Sequence, residues 1–368
     1  MDIQNHYYGH SAVLAAYAGL SRPRHVAGLL QHGWTATSPV AAHFADFPQV
    51  GRNPRRRLLV WSHRSRAWSP SDEDRPTTAV GAPVLYLERL LQARGWRRSD
   101  RLGPVFVPFH GTRLVRVTGA HRELAAQVAD VDGPSTVCLH SEDMTDPEIT
   151  DAWAAAGHRL VTAGRRDDPA FLLRIMHLAG NASRLSSNRL STAVLYAAAG
   201  GTPAAVWGDP LTFGAQSETA LQALRDGWPE FHGAESRSDA TSAEDQAATA
   251  LARAELGGDA LLEPDDLRAA MGWTGPASPG PAAQYWAGSP LAKAAMVLGL
   301  TKRSEQSTAA MSAGGFSPML WLRHPVAHLP RPLPKGLDTP VTTVEPLPAD
   351  QVPAEHPAPD TDTVTRTS

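Results

Sequence analysis

The chain reads as an α/β protein: two doubly wound halves facing a cleft, a helical C-terminal extension and a disordered tail. Three observations carry that reading. Short apolar runs suited to buried parallel strands alternate with amphipathic runs of helical period as far as Asp209. Most of those strands end in a turn bearing glycine, histidine, serine or asparagine, where an open parallel sheet meets its ligand. Beyond Asp209 the pattern turns helical and irregular, and from Leu329 proline, threonine and acidic residues dominate. A chain of 368 residues accommodates two domains and a tail, with divisions expected at 1–132, 133–328 and 329–368.

Taken in order, residues 6–20 read as a helix with Ala12, Val13, Ala16 and Tyr17 on one face, ended by Gly19 and Pro23. Residues 25–30 form a short strand followed by Gln31-His32-Gly33-Trp34. In such a loop the backbone can approach a ligand and an imidazole can reach it. Residues 57–62 are an apolar strand with His63 and Arg64 beyond its end, and 70–76 are a loop. A helix opens at residues 80–83, with Pro83 suited to its first turn, and runs to Leu91. Residues 104–108 are a strand ending in Phe109-His110-Gly111. Three strands of the first half thus end in a histidine-bearing turn, expected at one edge of one sheet as a titratable wall around a cleft.

Residues 119–132 are helical, and Gly133-Pro134 marks the boundary. In the second half, strand 136–139 ends in His140-Ser141. Helix 146–157 has Asp146 as cap and Pro147 at its first position. Strand 159–163 ends in the turn Gly164-Arg165, and helix 169–179 follows. Helices are expected at 219–227, 242–256, 263–271 and 289–300, with an apolar patch at 319–322 and disorder from 329 onward.

The stretch from Ala182 to Pro210 bears most directly on function. Residues 184–187 are a strand; Leu190, Ala193, Val194, Ala197 and Ala198 recur at helical spacing; Ser187 or Asn188 is the expected cap. Gly200-Gly201 and Pro203 stop the helix, and residues 204–207 form a strand before Gly208-Asp209. The turn lies at the carboxyl end of a parallel strand, where the first helical turn points unpaired N–H groups and a positive dipole at an anion. Ser187, Asn188, Ser191 and Thr192 crowd that mouth, and Arg189 is placed to add a bidentate phosphate contact. Capping alone accounts for one or two of these residues, not for all five.

Composition excludes several classes. A net charge of −3 and a pI near 6.6 give no polyanion-binding signature, so nucleic acid is not the expected partner. The single Cys138 permits no disulfide or cysteine metal site, in keeping with a reducing cytoplasm. The N-terminus lacks the pattern of a secretory signal, and no run of eighteen apolar residues is present. The expected location is cytoplasmic. Arg55-Arg56-Arg57 and Arg97-Arg98 could bring a peripheral contact with an anionic lipid headgroup at the inner membrane face, although such runs are commonly solvated loop charges.

Gln31-His32-Gly33 after a strand, Ser187-Asn188-Arg189-Leu190-Ser191-Thr192-Ala193, Tyr196-Ala197 and Gly201-Thr202-Pro203 together resemble GT-B glycosyltransferases. Within that class the sequence is similar to capsule and cell-surface polysaccharide transferases and to CDP-glycerol glycerophosphotransferases, over roughly residues 5–209. The resemblance implies two Rossmann-like halves and a nucleotide-sugar donor between them. The donor phosphates would lie on the helix at Asn188–Thr192, its base near His140-Ser141 and Gly164-Arg165, and a hydroxyl at Asp209, which also reads as a turn residue before Pro210. It implies a glycan or lipid-linked acceptor deprotonated by His32, with His10 and His110 as further candidates. No metal or other cofactor is expected, because helix dipole, hydroxyls and arginine can stabilise a leaving diphosphate. A Glu-x7-Glu pair, common before the donor helix of retaining members, is missing near Ser187, which favours inversion. Trp34, Trp61, Trp68 and Trp96 could stack on sugars or pack in the core. A sugar-nucleotide 2-epimerase, a CDP-alditol glycerophosphotransferase or a binding protein without turnover would share the architecture.

Overall fold

The computed structural model describes residues 3–39, 57–64, 76–99, 101–111, 117–213, 218–232, 242–276 and 330–336. The chain is α/β, and both of its larger sheets are parallel.

The smaller sheet comprises β1 (Leu29–Leu30), β2 (Leu58–Val60) and β3 (Thr77–Ala79), in that spatial order. Its β1 and β2 are buried throughout, as parallel strands covered on both faces must be. The free edge of β1 is met by a side chain: the Asn5 amide donates to the Gly28 carbonyl at 3.0 Å and accepts the Leu30 N–H at 2.7 Å. The edge strand β3, only half-buried, falls outside the apolar-run signal and is absent from the sequence expectation.

Beside this sheet pack α1 (His10–Tyr17) and α2 (Pro83–Ala93). The expected helix over 6–20 is divided: a 3-10 segment, Ile3–Gly9, is broken at Tyr7 and Tyr8, and the α-helix begins only at His10. Helix α2 matches expectation, with Pro83 in its first turn and Val84, Leu87 and Leu91 buried at three- and four-residue spacing.

The larger sheet comprises β4 (Pro104–Phe106), β6 (Thr136–Cys138), β7 (Arg159–Val161), β8 (Arg184–Ser187) and β9 (Ala204–Val206), in the order β7-β6-β4-β8-β9. Between them run α3 (His121–Asp132), α4 (Pro147–Ala155), α5 (Phe171–Asn181) and α6 (Thr192–Ala199). Asp146 caps α4, its carboxylate accepting the Glu148 N–H at 3.1 Å, as the Asp-Pro sequence predicts. The chain moves outward from β4 through β6 to β7, crosses back to β8, and continues to β9. This is the doubly wound Rossmann-like order, and its switch point lies between β4 and β8.

One strand is therefore corrected. The sequence reading groups β4 with β1 and β2, whereas β4 pairs with β6 and β8 at the centre of the larger sheet. Val105 and Phe106 suit any buried parallel strand, so local composition cannot choose between sheets. Two further strands, β5 (Val117–Thr118) and β10 (Thr212–Phe213), form an antiparallel ribbon that two-residue signals do not reveal.

After the sheets come α7 (Glu218–Gly227), α8 (Ser242–Glu255) and α9 (Pro264–Met271), near the expected positions. One hydrophobic cluster runs through both sheets, joining Val13 and Leu87 to Leu172, Val194, Ala252 and Leu267. Trp61, Tyr86 and Phe231 are fully buried in it, each contributing about 1.5–3 kcal/mol on an area basis. Part of the tail departs from the expected disorder. In residues 330–336, Leu333 packs against this cluster, Arg331 donates to the Asp167 carbonyl at 3.0 Å, and Arg94 donates to the Lys335 carbonyl at 3.3 Å. The expected helix at 289–300 and the patch at 319–322 lie outside the described residues.

Candidate functional site

The carboxyl ends of β1, β4, β6, β7 and β8 open on one cavity of about 690 Å³. Both sheets therefore contribute to it, and the walls include the switch point of the larger one.

Four histidines from four chain segments line it: His10, His32, His110 and His140. The expectation that His32 and His110 lie in one wall holds through two different sheets. His63 is not part of that wall; its ring faces Thr77 Oγ1 at 3.2 Å.

The His32 turn is fixed from below by Gln31. The Gln31 side chain donates to the Gly33 carbonyl at 2.8 Å and accepts the Trp61 N–H at 2.9 Å, and its carbonyl accepts the Trp61 indole N–H at 3.1 Å. Further along, the Trp34 N–H donates to Thr192 Oγ1 at 2.9 Å, which ties this turn to the start of α6. The Trp34 indole donates to the buried Glu255 carboxylate at 3.0 Å; the same carboxylate pairs with Arg64 at 2.8 Å. Trp34 meets Trp228 edge to face, ring centres 5.1 Å apart, and both line the cavity.

At the end of β4, His110 donates from Nδ1 to the Gly111 carbonyl at 2.7 Å, so its Nε2 carries the lone pair in the neutral ring. His140 lies parallel to it, ring centres 4.3 Å apart at 8°. The Glu142 N–H donates to His140 Nδ1 at 3.4 Å, which leaves the proton of a neutral His140 on Nε2. In their neutral forms the two rings thus carry their protons on different nitrogens, His110 on Nδ1 and His140 on Nε2. Burial pulls His110 below its ordinary value, opposed by the Gly111 hydrogen bond and the Glu142 carboxylate. Cys138 also lines the cavity, and burial pushes its thiol up to about 12, so it stays protonated.

The phosphate turn differs from expectation. Helix α6 starts at Thr192, and its cap is Ser191 rather than Ser187 or Asn188. Ser191, Thr192 and Ala193 line the cavity, but Ser187, Asn188 and Arg189 are not among its walls. They are buried and bonded to backbone. Asn188 accepts the Phe109 N–H at 2.7 Å and donates to the Asp209 carbonyl at 2.8 Å, tying together the ends of β4, β8 and β9. The Arg189 guanidinium donates to the carbonyls of Pro210 and Leu211 and lies over the Phe109 ring at 4.7 Å. Arg189 is thus engaged by the protein rather than presented to a phosphate. Ser187 Oγ sits 3.4 Å from the Arg189 N–H.

Asp209 has the turn role: its carboxylate accepts the Leu211 N–H at 2.7 Å, holding Leu211 at φ 54°. Ser141, Gly164 and Arg165 stand behind the cavity wall. Ser141 is buried, the Gly164 N–H donates to Thr162 Oγ1 at 3.1 Å, and Arg165 pairs with Asp167 at 3.0 Å. Thr162 and Ala163, not anticipated, are the residues just after β7 that line the cavity.

The residue that sequence reasoning missed most clearly is Tyr8. It lines the cavity with its ring stacked on His32 at 6.3 Å and edge-on to Phe171 at 4.9 Å. Its φ is +56°, followed by Gly9 at +74°. A Cβ on Gly9 would lie 2.4 Å from the Pro169 carbonyl oxygen, so glycine is required there by both conformation and space. The available signal was a glycine between an aromatic pair and a helix, Tyr7-Tyr8-Gly9-His10. Tyr196, on α6, lines the same wall, and burial raises its pKa.

Among the described residues no group of three or more His, Cys, Asp and Glu side chains could hold a metal, and no helix is long and apolar enough to cross a membrane. The site offers imidazoles, phenols, hydroxyls and the first N–H groups of α6 around a mostly apolar cavity. No protein-family model matches this chain, and comparison with curated proteins found no match.

Proposed function

We propose that the protein is a GT-B-like glycosyltransferase moving a sugar from a nucleotide donor to a glycan, lipid-linked or small-molecule acceptor without a bound metal. The observation that carries this is the cavity itself, shared by the carboxyl edges of two parallel sheets and walled by His10, His32, His110 and His140. On this reading the smaller sheet forms the acceptor side and the larger sheet the donor side. Thr192 and Ser191 at the start of α6 replace Arg189 as the groups that meet the donor phosphates.

In the reaction an acceptor hydroxyl attacks the anomeric carbon. The bond from that carbon to the diphosphate oxygen breaks, the nucleoside diphosphate leaves with the electron pair, and the hydroxyl proton passes to an imidazole. His32 is the base expected from sequence. The geometry favours His110, whose Nδ1–H···O bond to Gly111 leaves Nε2 with its lone pair and whose burial keeps the ring neutral near pH 7. His140 stacks on that ring and lines the same wall.

A panel of UDP-, GDP-, CDP- and dTDP-sugars tests the reading through release of the nucleotide by the full chain. Release from one donor, lost in His110→Gln with its melting temperature kept, supports it. Binding of a donor without turnover favours the non-catalytic binding protein. Release of nucleotide only from a CDP-alditol marks a glycerophosphotransferase, and inversion at the sugar C2 marks a 2-epimerase. Cytoplasmic location, with peripheral membrane contact through Arg97-Arg98, belongs to the same proposal; Arg55 and Arg56 lie outside the described residues.

A further inference from the structure

We infer that Tyr8 is a further catalytic residue, its phenol hydroxyl donating a hydrogen bond to the substrate oxygen that gains negative charge as the donor bond breaks. The inference rests on the transferase reading above and deepens it. Three independent observations point to Tyr8.

The first is backbone strain. Among the described residues only Tyr8 and Leu211 are non-glycine residues with positive φ, and Leu211 is explained by the Asp209 turn. For an aromatic residue that conformation costs on the order of 1–3 kcal/mol and persists only where its surroundings impose it. Here they do: the Tyr8 N–H donates to the Arg166 carbonyl at 2.5 Å, and Gly9 is wedged against Pro169. The effect is to turn the Tyr8 ring from the N-terminal segment across to the cavity, where the strands of the larger sheet end.

The second is position. Tyr8 stacks on His32, stands 5.9 Å from the His10 ring, and meets Phe171 edge-on. It also feels the charges of Arg166 and Glu142, which belong to the turns after β7 and β6. The phenol therefore lies between His10 of α1 and His32 after β1 on one side and the turns of the larger sheet on the other. The third is chemical state. Burial holds the Tyr8 pKa above its ordinary value of about 10, so the group keeps its proton at neutral pH and acts as a donor. Among the described residues nothing accepts from that hydroxyl. A neutral donor aimed at developing charge in a dry site is the type of group whose loss lowers kcat rather than affinity.

The test compares wild type with Tyr8→Phe, which keeps the ring, its stacking and the backbone, and removes one oxygen. Nucleotide release from UDP-glucose, GDP-mannose, CDP-glycerol and dTDP-rhamnose is measured for both, together with KM and melting temperature. Tyr8→Phe should lower kcat about 100-fold, with KM within threefold and the melting temperature held. A Tyr8→Phe chain whose kcat stays within twofold of wild type overturns the assignment while leaving the transferase reading intact. So does one that raises KM alone or loses its cooperative melting, because either makes Tyr8 a packing or affinity residue. Wild type that releases nucleotide from no donor overturns both.

Discussion

Two turns at the switch point of the larger sheet use polar side chains in opposite ways. After β8, Asn188 and Arg189 face inward and bond to the backbone of Phe109, Asp209, Pro210 and Leu211. After β4, His110 faces the cavity with one ring nitrogen anchored and the other open. The difference follows from what each turn must satisfy. The segment Asp209–Leu211 leaves β9 irregularly, and its carbonyls need donors once buried, which a guanidinium and an amide supply. Gly111 asks for only one donor, and His110 has two ring nitrogens. A polar residue at a strand end reaches a ligand only when its backbone neighbours leave it a group to spare.

The largest effect expected from breaking this contrast is at the cavity's support. Gly9→Ala forces a Cβ to 2.4 Å from the Pro169 oxygen at a φ of +74°, and should destabilise the fold by about 3 kcal/mol in guanidinium denaturation. Next come the inward-facing groups. Arg189→Ala and Asn188→Ala each leave partly buried backbone groups unpaired and should cost about 1–2 kcal/mol, with nucleotide affinity within twofold of wild type. An Arg189→Ala chain of unchanged stability that loses its nucleotide would reverse the contrast.

Acid sensitivity sharpens it further. Because the folded pKa of His110 is lowered, the unfolded chain binds a proton that the folded chain refuses. Stability is full above about pH 6.5 and falls as pH drops below that value, by up to about 1.4 kcal/mol per pH unit, until the folded pKa is passed. His110→Gln should flatten that slope, measured as denaturation midpoint between pH 7 and 5. His121, also lowered by burial, keeps its own share of it. The smallest effect is Thr192→Val, which removes the acceptor for the Trp34 N–H and should cost about 1 kcal/mol in the same assay.

Most helices were legible because their apolar spacing and caps are local: Pro83 opens α2, Asp146 caps α4, and α8 is a plain amphipathic run. What was not legible depended on partners distant in sequence. The sheet to which β4 belongs is decided by Thr136 and Arg184, not by its own three residues. The expected cap of α6 falls three or four residues early because Ser187 and Asn188 resemble caps; the ends of β4 and β9 claim Asn188 instead. The polar residues that end β1 and β4 are legible because a polar residue after an apolar run is a local signal. Their placement is not: His32 and His110 reach the cavity from two different sheets, and His63 does not reach it. Tyr8 is not legible because its place at the cavity depends on a backbone conformation held by Gly9 against Pro169 and by the Arg166 carbonyl, partners far away in sequence.

The continuity of the hydrophobic cluster across both sheets has a kinetic consequence. A cleft between separate lobes opens by rotation about a hinge. Here the start of α2 is bound to the end of α8, the Ala82 N–H donating to Leu256 at 2.8 Å. Gly257 leaves only 1.9 Å between a Cβ and the Trp61 oxygen. Those contacts make the smaller sheet, α2 and α8 a single block. On the cavity side, α7 supplies Ala220, Ala223 and Leu224 yet carries no buried side chain, and Trp34 meets Trp228. With one core running through both sheets, fitting a ligand falls to side chains and to the loosely packed α7, whose motions run from nanoseconds to microseconds, rather than to the slower closing of separate lobes.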